Sequence, residues 1–64
     1  MQNITKSRKM ENGIAVYYKA GSGEKFESFN YSELIDMKIN ALDLLQDPKS
    51  YAVDTEKHRL VMKK

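Results

Sequence analysis

This 64-residue chain has no cysteine and no tryptophan, and only one proline, one histidine and three glycines. Without cysteine there is no disulfide scaffold, no thiolate zinc site and no thiol nucleophile. A lone His58 excludes a metal cluster built on histidines. It sits between Lys57 and Arg59 in an expected turn, which reads as a solvated surface position. No stretch approaches the ~20 apolar residues of a membrane span, and the opening MQNITKSRKMENG lacks the apolar run of a signal peptide. The expectation is a soluble, cytoplasmic protein with no membrane partner and no cofactor. The chain begins at Met1 without linker-like sequence and reads as one complete short reading frame. Frames of this size are frequent in phages and mobile elements, an inference from length alone.

Catalytic patterns are scarce as well. Gly21-Ser22-Gly23-Glu24 follows a strand but lacks the lysine-containing phosphate-loop pattern and opens no helix, so it reads as a turn. Asp36, Asp43 and Asp47 share a helix face at a spacing that acid–base or cation chemistry could use. A solvated polar face accounts for them with nothing added. A chain this short also has little room for a substrate pocket of ~300 Å³ or more. No enzyme is expected.

Of the residues present, 41% are hydrophobic and 31% charged, which fits one small globular domain spanning 1–64 near the lower size limit for a single core. The net charge of +2 is segregated. Residues 1–25 carry five Lys/Arg against two Glu, residues 26–50 two Lys against five acids, and residues 51–64 four Lys/Arg against two acids. Such a dipolar chain is less basic than most nucleic-acid binders.

The fullest signal is SELIDMKINALDLLQD, residues 32–47. At about 100° per residue, its apolar side chains cover roughly 220° of a helix, against the narrower stripe usual on a surface helix. Leu34, Met37, Ala41, Leu44 and Leu45 form one flank; Ile35, Ile39 and Leu42 form the other. Ser32 is the expected N-cap, Glu33 and Asp36 suit the positive end of the dipole, and Asp47-Pro48 stops the helix. Lys38 lies inside the apolar arc, with a stem that can pack while its ammonium reaches water.

Strands precede the helix. Asn12-Gly13 signals a hairpin. A two-residue loop there pairs Glu11 with Ile14. A three-residue loop, Glu11 to Gly13, pairs Met10 with Ile14 and gathers the apolar residues on one face, which favours it. The first strand is then about 3–10 and the second 14–19. A loop of about five residues over Gly21-Ser22-Gly23 leads to a third strand at 25–30 and sets Phe26 opposite Tyr18. After the helix, residues 50–64 read as a hairpin: Tyr51 faces Met62, Val53 faces Leu60, Asp54 faces Arg59, and the turn is Thr55–His58. A helix starting near Thr55 is the competing reading.

The expected fold is α+β: a small antiparallel β-meander, one amphipathic helix on the sheet and a C-terminal β-hairpin, in the order β-β-β-α-β-β. Inner positions are Ile14, Val16, Tyr18, Phe26, Ile35, Ile39, Leu42, Val53 and Leu60. Which helix flank meets the sheet is open. The remaining flank is covered either by the C-terminal hairpin or by a partner. The first functional reading is therefore a non-enzymatic regulatory module that binds a larger protein or a second copy of itself. Its interface would be Leu34, Met37, Ala41 and Leu44, with Tyr17 and Phe29 as a second surface. The rival is single-stranded nucleic-acid binding on a sheet face of Lys9, Tyr17, Lys19, Lys25 and Phe29, where aromatics stack bases and lysines hold phosphates. Glu27 shares that face and opposes it.

Overall fold

The computed structural model describes residues 1–63 and shows an α+β chain with two antiparallel three-stranded sheets and two short helices. Strands β1 (Gln2–Asn3) and β2 (Lys6–Lys9) come from one polar run. They are followed by β3 (Gly13–Ala20), β4 (Gly23–Asn30), α1 (Tyr31–Asp36), α2 (Ala41–Gln46), a 3-10 turn at Pro48–Ser50, β5 (Tyr51–Asp54) and β6 (Arg59–Met62). One sheet has the order β2-β3-β4 and the other β1-β5-β6. Among the described residues no helix is long and apolar enough to cross a membrane.

The expected first strand is thus split between the two sheets. Gln2 pairs with Val53 and Asn3 with Ala52, whereas Lys6 pairs with Tyr17 and Lys9 with Ile14. Between them Ile4 is buried in the core, and the Thr5 N–H donates to the Tyr17 carbonyl at 2.8 Å. The one apolar side chain of this run anchors the crossing.

Both meander turns are tighter than the sequence suggested. Met10 N–H donates to Gly13 O at 2.8 Å, so the loop is Glu11-Asn12, one residue earlier than the Asn12-Gly13 signal implies. Gly13 has no positive φ. Its missing side chain serves a close approach instead: a Cβ there would lie 2.0 Å from the Phe29 carbonyl oxygen. Gly21, with φ of 63°, makes a two-residue turn with Ser22 and pairs Ala20 with Gly23. That shift sets Phe26 opposite Tyr17, not Tyr18, and a one-residue slip moves a whole strand to the other face. Phe26 is consequently 56% exposed and Phe29 is in the core.

The expected helix of residues 32–47 is two six-residue helices. Helix α1 is capped by Asn30, ahead of Ser32. The Asn30 side chain accepts from Glu33 N–H at 2.8 Å, and Glu33 Oε1 accepts from Asn30 N–H at 3.0 Å. That reciprocal pair is a capping box. The break after Met37 is a Schellman motif. Lys38 takes the left-handed conformation with φ of 59°, its N–H donates to Ile35 O, and Ile39 N–H donates to Leu34 O. Asn40 then caps α2 by accepting from Asp43 N–H at 3.2 Å. Asp47-Pro48 ends the segment as expected, with Pro48 opening the 3-10 turn.

The core takes Ile14, Val16 and Tyr18 from β3 and Phe29 from β4. Leu34, Ile39 and Leu44 join from the helical segment, Tyr51, Val53 and Leu60 from the last hairpin, and Ile4 from the crossing. Met37, Ala41 and Leu45 pack against it. Of the expected inner positions, Phe26, Ile35 and Leu42 are instead exposed. The flank of Leu34 and Leu44 faces the core while Ile35 and Leu42 face out, and Ile39, which a continuous helix would put with Ile35 and Leu42, joins the core just after the break at Lys38. The C-terminal hairpin has the expected register throughout, including Tyr51 with Met62 and Asp54 with Arg59. It covers the inner flank, with Leu60 N–H 3.3 Å from the Met37 sulfur.

Candidate nucleic-acid interface

Because Ile14, Val16 and Tyr18 point inward, Ala15, Tyr17 and Lys19 point to the opposite face of β3. Cross-strand register then places their neighbours. Lys6, Tyr17 and Phe26 form one row, Arg8, Ala15 and Ser28 the next, and Lys19 lies beside Glu24. The Tyr17 and Phe26 rings sit side by side, with centroids 5.6 Å apart and planes tilted by 36°. Lys6 Nζ lies 4.8 Å from the centre of the Tyr17 ring and 3.7 Å from Glu24 Oε1. That ion pair is solvent-exposed and contributes little to stability. Beside the rings a shallow open depression of about 480 Å³ is bounded by Arg8, Met10, Tyr17 and Phe26, with Ala15 in its floor. The face therefore combines an aromatic pair, three cations (Lys6, Arg8 and Lys19) and two carboxylates, Glu24 paired with Lys6 and Glu11 at the rim of the depression.

Of the residues expected on this face, Tyr17 and Lys19 lie there. Lys25 and Phe29 belong to the opposite side, since Phe29 shares a row with Ile14 and Lys25 with Tyr18; Lys9, also in the row of Ile14, nevertheless lines the depression beside the rings. Phe29 is 1% exposed and offers no surface to a base. Lys6, Arg8 and Phe26 were missed. The two-residue reading of Gly21-Ser22 was the available signal for Phe26, because that turn alone sets it beside Tyr17.

The expected protein interface is placed differently again. Leu34 and Leu44 are buried, and Met37 and Ala41 pack on the core. Leu34 and Leu44 are therefore closed to a partner, while Met37 and Ala41 are half-buried beside them. Tyr17 and Phe29, the second surface considered, lie on opposite faces of the sheet.

His58 is more engaged than a solvated turn residue. With φ of 52°, it closes the β5–β6 turn and stacks on Phe29 at 4.2 Å between ring centres. Its Nδ1 lies 2.6 Å from Glu27 Oε1 and its Nε2 3.5 Å from Glu33 Oε2. The ring thus ties the last hairpin to β4 and α1, and Glu27 is drawn to this inner face, away from Tyr17. Its turn is held further by Asp54 Oδ1, which accepts from the Glu56 and Lys57 N–H groups. The helical acids also have structural partners. Tyr51 donates its hydroxyl to Asp43, and Ser50 donates to Asp47. Burial, that hydrogen bond and the negative charge of Asp43 and Asp47 push the Tyr51 hydroxyl up from 10.0 to about 12. Among the described residues no group of three or more His, Asp or Glu side chains could hold a metal ion.

Comparison of the chain with protein-family models, with characterised proteins and with solved structures finds no match to any of them.

Proposed function

We propose that the chain is a small, non-enzymatic protein that binds single-stranded nucleic acid on the outer face of the β2-β3-β4 sheet. The observation that carries this reading is the Tyr17–Phe26 pair, with the Lys6 ammonium over the Tyr17 ring and Arg8 in the adjacent row. Two neighbouring rings on an open sheet suit two successive bases, whose stacking is tolerant of sequence. Lys6, Arg8 and Lys19 flank the pair where a phosphate backbone would run. The protein-docking reading loses Leu34 and Leu44, which are core, and would have to use the exposed Ile35 and Leu42 on the other flank.

The test is fluorescence anisotropy of a labelled single-stranded oligonucleotide across a salt series. Three phosphate contacts give a slope of roughly −2 in log affinity against log salt. Affinity should therefore fall about twentyfold between 50 and 200 mM salt. Combined Tyr17→Ala and Phe26→Ala should remove binding while the circular dichroism spectrum stays that of the wild type. No binding at 20 mM salt, or binding indifferent to both rings, overturns the reading. Capture of a protein partner by the double variant as well as the wild type would restore the docking alternative at another surface.

A further inference from the structure

The sheet face ends at an open strand, and the geometry points to what pairs with it. The Gly21-Ser22 loop has two residues, so Ala20 and Gly23 are its hydrogen-bonded closing pair. By alternation Lys25, Glu27 and Phe29 also turn their N–H and C=O groups toward β3. Glu24, Phe26 and Ser28 then turn theirs outward. Asn30 continues the series and shows the direction: its N–H is bonded to Glu33 Oε1. Glu24, Phe26 and Ser28 are exposed, and among the described residues no strand pairs with this side of β4. A free edge eight residues long is a template for another strand.

We propose that this edge pairs antiparallel with the same edge of a second copy, about a two-fold axis through Phe26. The argument is charge complementarity. Outward-facing residues must oppose outward-facing residues, so near the middle of the strand the axis can fall at 25, 26 or 27. An axis at Lys25 sets Lys25 against its own copy, and an axis at Glu27 sets Glu27 against its own copy. Like charges placed directly opposite are unfavourable. Only the axis at Phe26 brings Lys25 opposite Glu27 of the second copy, and by symmetry does so twice. Glu24 then faces Ser28 and Phe26 faces Phe26. To a general apolar strand the charges of β4 are a deterrent; to its own copy in this register they match.

The pairing joins two three-stranded sheets into one. It also sets Tyr17, Phe26 and their two counterparts in a single row across the outer face, flanked at each end by Lys6. The proposal does not depend on the nucleic-acid reading, and its test uses no oligonucleotide. Light scattering and sedimentation over 10 µM to 1 mM should give twice the monomer mass of 7.4 kDa at the upper end. Ser28→Pro removes an N–H from the free edge alone, a position where an edge strand tolerates proline, and should return the protein to a monomer with an unchanged circular dichroism spectrum. Lys25→Glu, which sets a carboxylate against Glu27 of the second copy and leaves the Glu27–His58 contact in place, should dissociate it as well.

Register is read separately. Because the chain has no cysteine, equimolar Lys25→Cys and Glu27→Cys proteins can be mixed in a glutathione buffer, and the mixed disulfide should exceed the statistical half. A wild-type monomer at 1 mM overturns the proposal. So does a dimer that survives Ser28→Pro, and so does a statistical disulfide mixture. If Ser28→Pro fails to fold, the disulfide distribution decides.

Discussion

Gly13→Ala should be the most damaging single-methyl addition in this chain, and the structure says by how much. A Cβ at residue 13 would stand 2.0 Å from the Phe29 oxygen, 2.7 Å from the Asn30 Cα and 2.8 Å from the Phe29 carbonyl carbon. Ordinary contact begins near 3.4 Å, so the strands must part by about 1.4 Å. All three atoms are backbone, and no side chain can swing away to make room. The movement would strain the Asn12 O to Tyr31 N–H bond, now 3.0 Å, and the capping box that starts α1. Overpacking costs typically ~1–3 kcal/mol when side chains can adjust, so about 3 kcal/mol is expected here. A domain this small has only ~3–5 kcal/mol in hand. With a urea slope of ~1 kcal/mol/M, the unfolding midpoint should fall by about 3 M. Gly23→Ala, where a Cβ meets nothing within 4 Å, should leave the midpoint nearly unchanged. Gly21→Ala has equal space but a φ of 63°, and should lose about 1 kcal/mol through backbone strain. If Gly13→Ala unfolds within 0.5 M of the wild type, the packing of β3 under the end of β4 is wrong.

The helical segment gives a matched pair of tests. Leu44→Asp buries an unpaired charge and should unfold the protein, whereas Leu42→Asp, at a residue 66% exposed, should cost less than about 0.5 kcal/mol in a thermal melt. Equal losses would refute the assignment of the two flanks. Lys38→Gly should stabilise by about 1 kcal/mol, since glycine occupies the left-handed position without strain; destabilisation in urea would mean the residue is not left-handed. Tyr51 links stability to high pH. Its folded value of about 12 exceeds the unfolded 10.0, so between pH 10 and 12 the unfolded chain holds fewer protons and stability falls with rising pH. Titration by ultraviolet absorbance should show a late-ionising tyrosine in the wild type that is lost in Tyr51→Phe.

The last hairpin was legible to the residue because three independent cues agree. Tyr51 and Val53 alternate on one strand, Leu60 and Met62 on the other, and Asp54 meets Arg59 only in that register. The meander was legible as a meander but not in register. Asn12-Gly13 carries a strong turn signal, yet Gly13 is required for close approach, which no local pattern reveals. One residue of difference at each turn then decided which of Phe26 and Phe29 entered the core, and with it the make-up of the candidate face. The helix break was hidden for another reason: neither glycine nor proline marks it, and Lys38 bears the left-handed conformation itself. Its trace was the repeated pattern of an asparagine followed three residues later by an acid, Asn30 with Glu33 and Asn40 with Asp43. Two caps ten residues apart imply two helix starts.

The split of the first strand between the sheets bears on how the chain reaches this structure. Neither helix approaches the ~12–15 residues below which an isolated helix is marginal in water, so helix formation cannot lead. The β3–β4 hairpin and the β5–β6 hairpin are local and can close early. The pairing of Gln2 with Val53 must instead join near-opposite ends of the chain, and such long-range closures come at an entropic disadvantage. Residues 2–4 therefore act as a latch: β2 closes on β3 through its own two-residue turn, β1 docks later on β5, and Ile4 seals the join between them. Until the latch closes, the two hairpins are held together chiefly by the helical segment. Amide exchange should accordingly start at Gln2 and Asn3, with the interior of β3 the last to yield.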